Sequence, residues 1–186
     1  MWIPIIIAGL VLLGGAGAGL AVGSQLARIK PLLVMNPPQQ WRMASLIYSR
    51  FMRAGLGNNI ALAAVINAYE ESRLDPSVVA GRQPWSANAG APFAGGAGEN
   101  SVGLFQLNAA PGAAGAGMTV AERQDPEKNI ARIIQVVKSR AGDPLTDNKT
   151  ASIGRLTNLF TTEIERPADR ARKGAIRETL ANQVFG

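Results

Sequence analysis

Cysteine and histidine are both absent from the 186-residue chain. Without them there is no disulfide framework, no thiol nucleophile, no Ser-His-Asp triad and no zinc site of the common kind. If the protein is an enzyme, its acid–base chemistry depends on carboxylates. The sequence predicts no metal site and no organic cofactor.

Acidic residues are fewer than basic ones, which gives a formal net charge of +6 and a pI near 10.3. This charge suits an anionic partner such as a membrane surface, a cell-wall polymer or nucleic acid. Nucleic acid is the weakest of these candidates, because no surface motif interleaves basic and aromatic residues.

Residues 1–27 contain no charged residue. Trp2 to Val22 is long enough to cross a hydrocarbon core of about 30 Å, so we predict a transmembrane helix followed by Arg28 and Lys30. Those cations predict that the rest of the chain faces a cytoplasm-like side. The glycines at every fourth position predict self-association of this helix, although glycine is also common in membrane helices; they are Gly15, Gly19 and Gly23.

The remaining chain divides into a juxtamembrane linker, residues 28–40, and a domain, residues 41–186. The linker contains prolines and reads as irregular. Its basic residues and those that follow are suited to anionic lipid headgroups or wall polymer, with an ordinary solvated surface as the alternative. A first helix is predicted from Trp41 to Ala54, ending at Gly55.

The segment from Asn59 to Pro76 is apolar on every side, which predicts a helix buried in the domain. Glu70 and Glu71 fall at its C-terminal end, where burial and the helix dipole both disfavour a charged carboxylate. A glutamate there is expected to have a raised pKa, as a general acid for glycosidic bond cleavage requires. Glu70 is interpreted as a surface or salt-bridged carboxylate.

Two motifs then give a resemblance to a known family. Glu71 to Pro76 (ESRLDP) resembles the E-S-x-x-x-P signature of lysozyme-like lytic transglycosylases, and Gly103 to Gln106 resembles their G-L-M-Q turn. Phage tail lysozymes carry a similar pair, and Ile164 to Pro167 is similar to an F-E-x-P stretch in them. Asp125 to Ile130 resembles the D-P-x-x-N-I helix start of the transglycosylases.

The resemblance implies an all-α, lysozyme-like domain of the goose-type or lytic transglycosylase kind. It implies that Glu71 is the catalytic residue of a peptidoglycan-degrading enzyme that cleaves the MurNAc-GlcNAc bond. For Ser72 a purely structural role at the helix end is the preferred alternative. The residues implied to bind substrate are Ser72, Ser101, Gly103, Leu104, Phe105 and Gln106.

Whether the enzyme is a transglycosylase or a hydrolase stays open from the sequence. In transglycosylases one glutamate acts alone and a 1,6-anhydro product forms, whereas a hydrolase needs a second group to activate water. Glu99 is the best-placed second carboxylate, since goose-type lysozymes carry an acid in a comparable position. The alternative for Glu99 is an exposed loop residue.

One departure from the family supports a different class of function. Many transglycosylases line the cleft with an Asn-Tyr pair in their C-terminal half, but the only tyrosines here are Tyr48 and Tyr69. The alternative is therefore a catalytically inactive, structural membrane protein of a virion or envelope complex. A third class is a membrane-perturbing protein that acts through residues 1–40.

The remaining segments are predicted as helices joined by glycine-rich loops, with a short hairpin near the loops. Residues 80–98 form such a loop. Thr119 to Glu122 fits a capping box, and Asp125-Pro126 starts a helix. Later helices are predicted from Asp147 to Ile164 and from Pro167 to Val184.

Peptidoglycan lies outside the cytoplasm, whereas the charge pattern places the domain on a cytoplasm-like side. A bacteriophage with a lipid membrane inside its capsid resolves this conflict, because its enzyme meets the wall only at entry. We therefore predict a single-pass protein of a phage virion inner membrane, with other virion proteins as partners. The alternative location is the bacterial cell envelope.

Overall fold

The computed structural model describes residues 25–79, 101–139, 145, 150–165 and 169–186. Within these ranges the chain is mostly helical, as predicted. In chain order the elements are a 3-10 helix (Lys30–Leu32), α1 (Pro37–Arg53), α2 (Asn58–Ser72), β1 (Ser101–Val102), β2 (Leu107–Asn108), α3 (Val120–Gln124), α4 (Pro126–Ser139), α5 (Ile153–Leu159), a π-helix (Phe160–Glu165) and α6 (Arg170–Phe185).

Helix α2 is the centre of the domain, as its uniformly apolar sequence predicts. Every residue from Ile60 to Ala68 is buried, and α2 contacts α1, α5, the π-helix and α6. The helix ends at Ser72, earlier than the predicted stop at Asp75-Pro76, because Arg73 and Leu74 adopt positive φ angles of 53° and 63°. The backbone N–H of Arg73 closes the last turn on the Tyr69 carbonyl at 2.8 Å.

The segment predicted as an irregular linker is folded onto the domain, and so are residues 25–27, which the sequence assigns to the membrane segment. Leu26, Ile29 and Leu33 are buried in the main core. Helix α1 begins at Pro37, four residues before the predicted start, because proline has a φ angle suited to the first helical position. The buried Gln40 side chain accepts hydrogen bonds from the backbone N–H groups of Met35 and Asn36, at 3.3 and 3.2 Å.

Three phenylalanine rings connect separate parts of the core. Phe51 of α1, Phe105 of the turn between β1 and β2, and Phe160 of the π-helix have centroids 5.8 to 6.3 Å apart. The two strands form the predicted short hairpin, with Ser101 opposite Asn108 and Val102 opposite Leu107. The hairpin turn is thereby packed against α1 and the π-helix.

The C-terminal helices follow the predicted order with different bounds. The capping box at Thr119 and Glu122 is confirmed. The described helix in the predicted range 147–164 begins only at Ile153, after an N-cap at Ser152, and becomes a π-helix at Phe160. Helix α6 approaches this region closely, since a Cβ at Gly174 would lie 3.0 Å from Asn158 Oδ1.

No helix in the described part of the chain is long and apolar enough to cross a membrane. The predicted membrane helix and its glycines lie outside the described residues. So do the loop 80–98 and Glu99.

Candidate active site

Glu71 lies in the last turn of α2, where the sequence predicts the catalytic carboxylate. Its side chain is 15% exposed. Arg177 of α6 donates a hydrogen bond from Nη2 to Glu71 Oε1 and forms an ion pair with it. Glu71 is therefore a partly accessible carboxyl attached to a buried cation.

Arg177 is covered on all sides, with 4% of its side chain exposed. Its second terminal nitrogen, Nη1, donates to Glu165 Oε2 in the π-helix and to Asn67 Oδ1 at 3.0 Å. It also approaches Thr161 Oγ1 at 3.4 Å. One guanidinium thus joins α2, the π-helix and α6.

Glu165 is the inner carboxyl of the cluster and is 6% exposed. Its Oε1 atom is buried and makes no hydrogen bond. Burial raises the pKa of Glu165 to about 8; Arg177 opposes this rise, and Glu71 adds to it through its charge and a contact between the two carboxyls. Burial also opposes the charge of Arg177, but the two carboxylates outweigh it and raise the pKa of Arg177 above its ordinary value.

Two neutral side chains, Asn67 and Thr161, form hydrogen bonds that position the charged cluster. The Asn67 amide donates to the carbonyls of Ala63 and Thr157, at 2.9 and 3.3 Å. Its Oδ1 accepts from the Thr161 hydroxyl at 2.6 Å, as well as from Arg177. Because Asn67 and Thr161 are fully buried, these hydrogen bonds fix the position of the guanidinium.

The structure brings Ser72 together with the Gly103 to Gln106 turn. The buried Ser72 hydroxyl lies 2.9 Å from both the Ala68 and the Leu104 carbonyls, so it connects the end of α2 to the turn. Leu104 and Phe105 are core residues. Their covered side chains give the motif a packing role in this structure.

The turn itself is held by a buried asparagine. Asn129 Oδ1 accepts from the backbone N–H of Phe105 at 3.2 Å, and its Nδ2 donates to the carbonyls of Val102 and Arg123. Gly103 has φ +85° and no room for a Cβ, which would overlap the Arg123 carbonyl and the Asn129 amide. The Asp125 to Ile130 motif therefore provides both a helix start and a support for the turn.

Gln106 and Ser101 are the half-buried members of the predicted substrate-binding set. The Gln106 amide donates to the backbone carbonyls of Val78 and Gly103, at 3.1 and 2.9 Å. Ser101 Oγ accepts from Asn108 Nδ2 at 3.4 Å, across the hairpin.

Glu70 forms a separate ion pair outside this cluster. Its Oε1 lies 2.7 Å from Arg73 Nη1, and the Arg73 guanidinium in turn lies over the Tyr69 ring at 4.5 Å. This is the salt-bridged surface carboxylate that the sequence predicts. Glu70 and Glu71 are adjacent in sequence but have different partners.

Comparison with models of known protein families gives a match. The phage tail lysozyme family matches residues 42–186, which include α2, the hairpin turn, the π-helix and α6. The chain belongs to the phage tail lysozyme family. No curated protein and no solved structure matches it significantly.

The matched range of this phage tail lysozyme family member includes two site residues that the sequence reasoning missed. Glu165 stands in the quoted Ile164 to Pro167 stretch but received no role. Arg177 is one of several basic residues in the predicted last helix, and the sequence assigns it no role. A signal for Arg177 is its position on one helical face with Gly174 and Ala181, the other buried residues of α6.

Proposed function

We propose that this protein cleaves the glycosidic bonds of peptidoglycan, with Glu71 as the proton donor. The observation that carries the proposal is the order of exposure within the charged cluster. Glu71 is the outer carboxyl at 15%, whereas Glu165 and Arg177 are 6% and 4% exposed. A glycosidic oxygen reaches the outer carboxyl first. Membership of the phage tail lysozyme family supports this substrate class.

In the proposed reaction Glu71 protonates the glycosidic oxygen as the C1–O bond breaks. The resulting carboxylate, stabilised by Arg177, then takes the proton of the sugar's own 6-hydroxyl while its oxygen bonds to C1. The product is a 1,6-anhydro sugar, as in a lytic transglycosylase. Glu165 is too covered to activate a water on the far face of the sugar, and Glu70 is engaged by Arg73. These positions favour the one-carboxylate route.

A hydrolytic outcome requires a second carboxylate, for which Glu99 is the candidate. Reducing ends would form in that case instead of anhydro ends. For sugar contacts we propose the half-buried Ser101 and Gln106. Ser72, Gly103, Leu104 and Phe105 are buried and would shape the site from behind.

The test is digestion of purified peptidoglycan by the full chain, with released sugars analysed by mass spectrometry. Glu71→Gln should lower the rate by about 100-fold or more, the usual contribution of a general acid. Glu70→Gln is the matched control, because it changes the same group one residue away and leaves the cluster intact. Its rate should stay within a few-fold of wild type. Equal rates for wild type and Glu71→Gln would refute the assignment.

An inactive structural protein of the virion is the second candidate. The observation in its favour is the ion pair between Glu71 and Arg177, since a proton donor must carry a proton when the substrate arrives. This candidate predicts that a folded wild-type protein releases no sugars from walls of several hosts. It also predicts that Glu71→Gln leaves virion assembly and infectivity unchanged.

For location, we propose that the uncharged residues before Gln25 anchor the protein in a phage virion inner membrane, with the bacterial cell envelope as the alternative. The support is the uncharged N-terminal sequence followed by Arg28 and Lys30. The full chain should float with liposomes, whereas a chain that starts at Gln25 should not. Equal flotation of both would exclude the anchor. Dye leakage caused by residues 1–40 alone would instead support a membrane-perturbing protein.

The partners in this proposal are other virion proteins and a second copy of the membrane helix. The helix would pair through the small face formed by Gly15, Gly19 and Gly23. Replacing these three glycines with leucine should abolish cross-linked dimers in bilayers. Persistence of the dimers would place the contact elsewhere.

A further inference from the structure

Arg177 is shared by two carboxyls that come from different parts of the chain. Nη1 donates to Glu165 Oε2 and Nη2 donates to Glu71 Oε1, so each carboxyl uses its own nitrogen. The charged groups that act on Glu165 are Arg177 from α6 and Glu71 from α2. Within the π-helix, the other carboxylate is the half-buried Glu163.

The charges of this cluster do not balance when every group is ionised. Two carboxylates and one guanidinium leave a net charge of −1 in a place where two of the three side chains are almost fully covered. A buried net charge is unfavourable, and one proton on either carboxyl removes it.

Hydrogen bonding also favours one proton. Glu165 Oε1 is buried without a partner, which destabilises the ionised form. The two carboxyls bind the two terminal nitrogens of one guanidinium, and a hydrogen bond between them is possible only when one carries a proton. Such a proton belongs to the pair and not to either residue alone.

We infer that Glu165 is a positioning residue for Glu71: the two carboxyls share Arg177 and one proton, and Glu165 keeps that proton in the site for donation by Glu71. The inference rests on the proposed function of Glu71 as general acid. When the C1–O bond breaks, the shared proton goes to the glycosidic oxygen, and Arg177 compensates one of the two carboxylates. The proton of the 6-hydroxyl then restores the pair.

The pH dependence of peptidoglycan cleavage by the full chain tests this inference. In the wild type, activity should fall on the alkaline side near pH 8, where the pair loses its proton. In Glu165→Gln, one carboxylate and Arg177 balance in charge without a proton, so the cluster no longer retains one. The pH at which activity falls on the alkaline side should therefore decrease by at least about one unit. Glu163→Gln, on the same π-helix, is the matched control and should not move it.

Two results would overturn the inference. One is an alkaline fall in activity at the same pH in Glu165→Gln as in wild type. The other is a uniform loss of activity at every pH, which indicates a purely structural role for Glu165. If Glu165→Gln does not fold, Glu165→Asp replaces it. Asp retains a carboxyl but withdraws it from Arg177, so activity should fall at a pH between the values for wild type and Glu165→Gln. A fall at the wild-type pH would contradict the inference.

A measurement without substrate separates this inference from the proposed function. The full chain with ¹³C-labelled glutamate carboxyls should show one carboxyl signal that titrates near pH 8, absent in Glu165→Gln and present in Glu163→Gln. If the wild type cleaves no peptidoglycan but shows this signal, the proposed function fails and the shared proton stands. If every glutamate titrates below pH 6, the shared proton is excluded whatever the activity.

Discussion

Glu165 is a residue whose ionisation is linked to folding. Its pKa is raised to about 8 by burial in the folded protein, against about 4.5 for an ordinary glutamate. The folded state therefore binds one more proton than the unfolded state between these two values. Its contribution to stability is complete below pH 4.5, decreases as the pH rises, and is lost above pH 8.

This linkage predicts that the free energy of unfolding decreases by roughly 1 kcal/mol per pH unit between pH 5 and 8. Urea denaturation of the full chain across this range measures the slope. Glu165→Gln removes the titrating group, so its slope should be markedly flatter, whereas Glu163→Gln should keep the wild-type slope. Equal slopes for wild type and Glu165→Gln would mean that Glu165 titrates alike in both states.

At the residue scale, the sequence predicted the position of Glu71 at the C-terminal end of α2 and the salt-bridged character of Glu70, since both depend on local sequence. Arg177 escaped prediction because its pairing with Glu71 spans 106 residues. The neighbouring sequence of α6 is rich in surface cations, which hides the one that is buried. The raised pKa of Glu165, on the π-helix, has no signal in the sequence because burial by distant parts of the chain causes it.

The conformation of the β1–β2 turn depends on contacts with residues that are distant in sequence. Gly103 has φ +85°, and its Cα lies against the Arg123 carbonyl and the Asn129 amide. Gly112 has a similar φ of +79°, but nothing lies within 4 Å of the place where its Cβ would be. The two glycines have similar φ angles and differ in crowding.

Gly103→Ala should therefore destabilise the protein by at least about 2 kcal/mol more than Gly112→Ala. In Gly112→Ala the cost is the left-handed backbone alone, about 1–2 kcal/mol. Urea or thermal denaturation of the two variants measures the difference. A similar loss for both would show that the turn moves aside to make room for a methyl group.

At the element scale, the starts of α3 and α4 were predictable, because capping is local. Thr119 and Glu122 form the predicted box, and Asp125 Oδ1 accepts from the backbone N–H groups of Glu127 and Lys128. The π-helix was not predictable, since its i→i+5 hydrogen bonds leave no periodic pattern in six residues. The start of α1 was missed because its prolines were interpreted as breakers.

For the whole molecule, the segment before α1 is part of the folded unit. Leu26, Ile29 and Leu33 are core residues. Arg28 Nη1 donates to the Phe185 carbonyl at 2.9 Å, and Asn58 Nδ2 donates to Gln25 Oε1 at 2.7 Å. The predicted boundary at Trp41 would cut through these contacts.

A chain that starts at Trp41 should be less stable than one that starts at Gln25 by at least about 3 kcal/mol. Each buried Leu or Ile contributes about 1.5–3 kcal/mol, and part of that is already realised in the unfolded state. Urea denaturation of the two chains gives the comparison. Equal unfolding free energies would show that the segment adds nothing to the domain.

The long separation between Glu71 and Arg177 also sets the order in which the site is made. Glu71 leaves the ribosome 106 residues before Arg177, and Glu165 precedes Arg177 by 12. During synthesis, the central helix therefore exists for a time without the cation and the second carboxyl. A partly synthesised chain has the proposed proton donor but lacks the cluster around it. Cleavage activity would begin only once α6 has been made and has docked.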